Sequence, residues 1–142
     1  MRILHIITSL RTGGAEKLMV DLLPRLQRMN NDIEILLFDG LRTTFFDKLE
    51  SQGIKIHKLD YGKNVYNPIL LIKLFIFLLK NKFDIVHTHN TACQLFTAIV
   101  SIFFSFRLIT TEHNTTNRRR NLKWYKLIDK WMYHRYDDVI CI

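Results

Sequence analysis

Cysteine is scarce in this chain of 142 residues: only Cys93 and Cys141 occur. They have no C-x-x-C spacing and no Cys/His run at zinc-finger distances, so neither a disulfide framework nor a structural zinc site is supported, and a reducing cytoplasm fits. Glycine (5) and proline (2) are also few, so there is no flexible or proline-rich linker and no low-complexity tract, and no fixed-period repeat is visible. No export signal is visible either. The apolar run Ile3 to Ile7, with His5 in its middle, is too short for a signal-peptide core and leads into Thr-Ser-Leu-Arg-Thr-Gly-Gly without a small-residue cleavage site. Nor is any hydrophobic run long. Ile69 to Leu79 carries Lys73 and Leu95 to Ile109 carries Arg107. Both fall short of the roughly 20 apolar residues that cross a bilayer, so each is expected to be a buried helix, the second with an adjoining strand.

What is present is ordinary globular material with a basic excess. Hydrophobic residues make up 48% and charged residues 24%, and 21 Lys+Arg against 13 Asp+Glu leave a formal net charge of +8. This composition supports a packed core, and the length one domain over residues 1–142. Short apolar strands are expected at Ile3–Thr8, Ile33–Phe38, Ile54–Leu59, Ile85–Thr88, Arg107–Thr111 and Val139–Ile142. Between most of them run helical patterns: Ala15–Met29, Phe45–Ser51, Pro68–Lys80 with Pro68 in the first turn, Ala92–Phe104 and Leu122–Arg135. Such alternation predicts an α/β fold, a doubly wound, mostly parallel sheet of Rossmann-like type. Ligands of such sheets bind outside the carboxyl ends of the strands, which directs attention to Ser9–Glu16, Asp39-Gly40, His87–Asn90 and Glu112–Thr115. The last strand reads as buried yet stops without a turn, cap or polar tail, from which a further portion of protein is expected.

Three stretches could carry chemistry. Thr12-Gly13-Gly14-Ala15-Glu16 joins the first strand to the first helix. There, absent side chains admit a ligand to free backbone N–H groups and the positive helix end, or else merely make a tight turn. It is neither G-x-G-x-x-G nor G-K-[ST], which weakens dinucleotide and P-loop readings, although Asp39 stands where a ribose-binding acid would. His87 and His89 lie two apart on one strand and so share a face, with His113 at equivalent height one strand on. Three imidazoles there could bind zinc, hydrogen-bond a polyol, or simply pack and cap. Finally, Arg118, Arg119, Arg120, Lys123, Lys126, Lys130 and Arg135 interleave with Trp124, Tyr125, Leu127, Ile128 and Trp131. This basic, aromatic helix suits a solvated face over a core face, an anionic membrane surface, or nucleic-acid phosphates. No RNP, helix-turn-helix or finger pattern supports the last, so nucleic acid is not an expected partner.

Together, the strand into Thr12–Glu16, the Asp84–Asn90 stretch with its His-x-His, and Thr111-Glu112-His113-Asn114 resemble, in order and separation, the N-terminal domain of glycosyltransferase family 4 enzymes of the GT-B type. The resemblance covers essentially the whole chain. It implies two Rossmann-like domains across a cleft and a sugar moved from a nucleotide-sugar co-substrate to a glycan or lipid-linked acceptor with retention of configuration, without an obligatory metal or other cofactor. Gly13 and Gly14 would approach the donor diphosphate, Glu16 would sit at the acceptor end of the first helix, His113 near the transferred sugar, and His89 with Asn90 along the acceptor side. The donor-binding C-terminal domain would be missing here, leaving this chain alone inactive. The basic helix fits work at the cytoplasmic leaflet, with Arg118, Arg119, Arg120, Lys123, Trp124, Lys126 and Trp131 at the membrane surface. Bacterial capsule, exopolysaccharide or lipopolysaccharide synthesis is the implied setting. The rivals are a nicotinamide- or nucleotide-binding Rossmann domain and a basic, non-enzymatic membrane or nucleic-acid module.

Overall fold

A computed structural model describes residues 1–60, 64–113 and 123–142, the side chains of 123–125 excepted. Its elements run β1 (Arg2–Ile7), α1 (Gly14–Arg28), β2 (Asp32–Leu37), α2 (Thr44–Ser51), β3 (Lys55–Lys58), α3 (Pro68–Lys80), β4 (Ile85–His89), α4 (Thr91–Val100) with a 3-10 turn (Ser101–Phe103), β5 (Arg107–Glu112), α5 (Lys123–Tyr133) and β6 (Asp138–Cys141). Each lies where the apolar periodicity places it, within a few residues. Local signals set the boundaries. The Thr43 hydroxyl accepts from Phe46 N–H to start α2, and Asn67 caps α3 directly before Pro68.

The six strands form one sheet in the order β3-β2-β1-β4-β5-β6, with every neighbouring pair parallel. The chain winds outward from β1 on one side and from β4 on the other, so the strand order reverses between β1 and β4, the position at which doubly wound sheets open a crevice. Alternate residues divide the core. Leu4, Ile6, Leu36, Phe38, Val86 and Leu108 pack with α3, α4 and α5 residues such as Leu74, Phe96 and Met132. Ile3, Ile7, Ile33, Ile35 and Leu37 pack with Met19 and Leu23 of α1 and with Phe46 and Leu49 of α2. By strand alternation His5, between Ile3 and Ile7 on the same pleat, points toward the α1 side.

Two expectations are corrected. Ile69–Leu79 is not a buried helix on all sides: Leu70, Leu74 and Leu78 face the core, but Ile69, Ile72, Ile76 and Leu79 are exposed, Ile72 by 59%. A uniformly apolar segment carries no moment to say which side is inward. The last strand is not buried either, because β6 pairs only through β5, and Val139 and Ile140 are each 43% exposed. Among the described residues no helix is long and apolar enough to cross a membrane.

Candidate active site at the strand-order reversal

The register places chemistry at the reversal point. His5 of β1 stands directly beside His87 of β4, and His89 beside Thr111 of β5. The result is a stack. Ring centroids are 5.0 Å apart for His5–His87, 4.4 Å for His87–His89, 5.5 Å for His5–His89 with planes 10° apart, and 5.7 Å for His89–His113. Hydrogen bonding follows the stack: His5 Nδ1 lies 3.2 Å from His89 Nε2, His89 Nδ1 lies 3.4 Å from His113 Nε2, and His87 Nε2 lies 2.8 Å from Thr111 Oγ1. His5 and His89 are buried, while His87 and His113 are half-buried.

Burial sets the charge of these rings. Loss of water pushes His5 and His89 well below the usual imidazole range, with neighbouring imidazoles adding to the effect, and brings His87 down to about 4. His113 is also lowered by burial, against the pull of Glu112 and Glu16. All four are therefore neutral near pH 7. Glu16, in the first turn of α1, is thus near enough to His113, the residue after β5, for its charge to be felt there.

The glycines at that helix start are not needed for the turn. Gly13 is extended, at φ −170° and ψ 170°, a conformation open to any residue, and neither glycine has a positive φ. What the missing side chains provide is room. A Cβ on Gly13 would overlap the Glu16 carboxylate, whereas one on Gly14 would meet nothing within 4 Å. Glu16, in the first turn of α1, thus folds back over Gly13 and leaves Gly14 open.

Asn90 closes the other wall. Its backbone is in the left-handed half of the map, φ 73° and ψ 144°, and its Nδ2 donates to Thr8 Oγ1 at 2.8 Å, tying the end of β4 to the end of β1. Such strain in a non-glycine residue persists only where the surroundings enforce it. Beside it, Asn90, Thr91, Gln94, Thr111, Glu112 and His113 line a polar cavity of about 130 Å³. Gln94 Nε2 donates to Thr110 Oγ1 and to Glu112 Oε2, and the Tyr133 hydroxyl donates to Glu112 Oε2 at 2.6 Å. Asp39, at the end of β2, is not among the residues that line this cavity. It is buried, accepts from the Leu41 backbone N–H and lies 3.8 Å from Arg11 Nε.

Of the residues expected from sequence, Asn90 and His113 line one cavity, and Glu16, in the first turn of α1 two residues after Gly14, acts electrostatically on His113. His89 joins them from beneath: fully buried, it backs His113 and has no surface with which to touch an acceptor. Lys126 and Trp131 are exposed on α5. Arg118, Arg119 and Arg120, and the side chains of Lys123 and Trp124, lie outside the described residues. Sequence reasoning missed His5, whose only signal is that it sits on the first strand at the height of His87 on the fourth. It also missed Gln94, Thr111 and Tyr136, which become polar neighbours only through the β4–β5 register and the return of α5.

A parallel, doubly wound half-domain with an imidazole-lined crevice at its strand-order reversal is the Rossmann-like unit from which GT-B proteins are built. The chain belongs to Glycosyltransferase Family 4, whose family model matches residues 12–142. It is 36% identical over 89 residues, 63% of this chain and 24% of the other, to the capsular polysaccharide biosynthesis glycosyltransferase CapH of Staphylococcus aureus. It therefore spans about a quarter of that curated relative. In fold it matches HepE of Anabaena in complex with UDP, with a TM-score of 0.72 and 17% identity over 98% of this chain and 37% of that one. It also matches MurG of Acinetobacter baumannii, with a TM-score of 0.69 and 12% identity over 99% of this chain and 40% of that one.

Proposed function

We propose that this chain is the acceptor-side half of a retaining glycosyltransferase. It moves a sugar from a nucleotide-sugar to a glycan or lipid-linked acceptor in the synthesis of a bacterial capsule or related surface polysaccharide, and works with a donor-binding domain that closes over the cleft. The observation that carries the reading is a neutral His113, backed by His89 and lining a polar cavity with Asn90, within electrostatic reach of Glu16 in the first turn of α1. The family and the capsule-forming relative give that arrangement its context.

The chemistry follows from those groups. Charge builds on the departing diphosphate as the sugar becomes oxocarbenium-like, and the first-turn N–H groups and positive dipole end at the start of α1 stabilise it without a metal ion. The neutral His113 imidazole hydrogen-bonds the transferred sugar without placing positive charge beside a developing cation. Glu16 and Asn90 border the acceptor side. Closure of the second domain excludes water and completes the site.

The acceptor reading has a surface to match. The exposed residues Ile72, Ile76 and Leu79 of α3, with Phe103 at 70% exposure, lie on the α3–α4 side. On α5 the exposed Leu127, Ile128 and Trp131 stand among Lys126 and Lys130. Exposed apolar side chains, interleaved on α5 with lysine, suit the cytoplasmic leaflet of an anionic membrane, where a lipid-linked acceptor would be presented.

The deciding experiment incubates the protein, together with its donor-binding domain, with a panel of nucleotide-sugars and lipid-linked acceptors extracted from membranes, and reads product anomers by NMR. Transfer with the donor's anomeric configuration kept is expected. Saturable micromolar binding of NADH with no transfer from any nucleotide-sugar would overturn the reading in favour of a nicotinamide-binding domain.

A further inference from the structure

His5, His87 and His89 each offer one ring nitrogen, and these nitrogens lie within 4.8 Å of one another. Glycosyl transfer as proposed above makes no use of that convergence: it acts through His113, and His5 and His87 contribute only packing. Hydrogen bonding nevertheless prepares the rings for something else. A neutral imidazole carries one N–H and one bare lone pair. One tautomer set suits a metal: where His87 Nε2–H donates to Thr111 Oγ1 (2.8 Å) and His89 Nδ1–H to His113 Nε2 (3.4 Å), His87 Nδ1 and His89 Nε2 keep bare lone pairs. Donation of the outer N–H to a neighbour is how metal-ligating histidines are held in orientation.

His5 supplies the third donor. Its Nδ1 is 3.2 Å from His89 Nε2, close to the separation of about 3.3 Å between two nitrogens on a tetrahedral zinc at about 2.0–2.1 Å; in the metal-free chain this contact is a hydrogen bond, and an ion takes it over once the His5 proton sits on Nε2. Its Nε2 is buried without any hydrogen-bond partner. Burial also keeps all three rings deprotonated, the form in which imidazole binds a metal.

We propose that His5, His87 and His89 form a binding site for one divalent transition-metal ion, zinc foremost, at the strand-order reversal. Three nitrogen donors with no carboxylate select zinc, copper or nickel over the oxygen-seeking magnesium and calcium. The ion ties β1 to β4 across the crevice and fixes the His89 N–H on His113. It is a structural ligand, and no step of sugar transfer runs through it.

The test uses untagged, chelator-washed protein titrated with Co²⁺, whose visible d–d absorption reports tetrahedral coordination. One equivalent is expected to give the band, Zn²⁺ to displace it and raise the thermal midpoint, and Mg²⁺ to do neither. His87→Gln, at a half-buried position, should weaken binding more than about tenfold, since even outer-shell changes cost that much. His134→Gln with Cys141→Ser, removing exposed ligands elsewhere, should leave it unchanged. Absence of both band and midpoint shift overturns the site, as does binding lost with the His134/Cys141 pair and kept with His87→Gln. Should His87→Gln fail to fold, the nitrogen hyperfine pattern of Cu²⁺ on the unaltered chain decides: coupling to several imidazole nitrogens upholds the site, and its absence overturns it.

Discussion

His89 carries His113: Nδ1 of the buried ring stands 3.4 Å from Nε2 of the half-buried one, so the only imidazole of the pair that reaches the cleft is oriented by one that does not. His113→Ala should therefore lower turnover by more than about tenfold, a loss of over roughly 1.4 kcal/mol of transition-state stabilisation. Single-turnover transfer assays check this, and unaltered turnover would reduce His113 to a structural residue.

Gly14→Ala separates a turn from a binding surface. The position is helical and a Cβ meets nothing within 4 Å. Alanine should therefore leave the unfolding midpoint unchanged or raise stability by about 0.5–1 kcal/mol. Nucleotide-sugar use should nonetheless weaken, seen as a raised KM for the donor. Unchanged donor kinetics in a stabilised variant would mean that nothing approaches the backbone there.

The fold should be sensitive to acid. His5, His87 and His89 are held below the ordinary imidazole value of 6.5, so below that pH the unfolded chain binds more protons than the folded one. Stability is then full above about pH 6.5 and falls as the pH drops, by about 1.4 kcal/mol per pH unit for each histidine, with the share of His87 exhausted near pH 4. Glu34 acts in the same direction lower down. Burial raises its pKa, but the Arg2 and His57 hydrogen bonds and the charges of Lys55 and Arg2 outweigh burial and hold it below 4.5. Urea midpoints at pH 7.5 and pH 5 test this, and equal values would show that the imidazoles are not buried in neutral form.

Tyr136→Phe probes the polar pin between α4, β4 and the segment after α5. The Tyr136 hydroxyl donates to the Gln94 carbonyl at 2.8 Å and lies 2.9 Å from Thr88 Oγ1, all in buried surroundings. Removing it takes one hydrogen bond from each partner, while Thr88 keeps Ile109 O and the Gln94 carbonyl its place in the α4 ladder, and should cost about 0.5–1.5 kcal/mol. Denaturant unfolding measures the loss, and a change below 0.5 kcal/mol, taken as roughly the scatter of neutral surface substitutions, would mean that water replaces the hydroxyl.

Membrane docking is tested on the same reasoning. Ile72→Ser with Ile76→Ser alters exposed side chains, so stability should hold while co-sedimentation with anionic vesicles falls. Replacing Arg118, Arg119 and Arg120 by serine should act chiefly on the salt dependence. Vesicle binding untouched by both sets of changes would remove the membrane from the proposal.

The alternating β/α pattern was legible because each strand and helix is specified by its own short run of residues, as Pro68 and Asn67 show at the start of α3. The histidine stack was legible only in part. His87 and His89 share a strand, so period-two alternation pairs them, but His5 comes 82 residues before His87 and joins them only through the β1–β4 register. The outward side of α3 was hidden because Ile69, Ile72 and Ile76 are as apolar as the inward Leu70, Leu74 and Leu78. The strain at Asn90 belongs to the tertiary structure: it arises where β4 must turn into α4 while held to Thr8.

The two borders of the sheet are unequal in a way that bears on handling the protein. β3 is four residues long and begins and ends in exposed lysine, a charged selvage that discourages any strand from laying itself alongside. β6 presents Val139 and Ile140, both 43% exposed, beside a backbone paired on one flank only. At high concentration, intermolecular zippering should start from β6, and a charge introduced at Ile140 is the most direct way to keep the chain monodisperse.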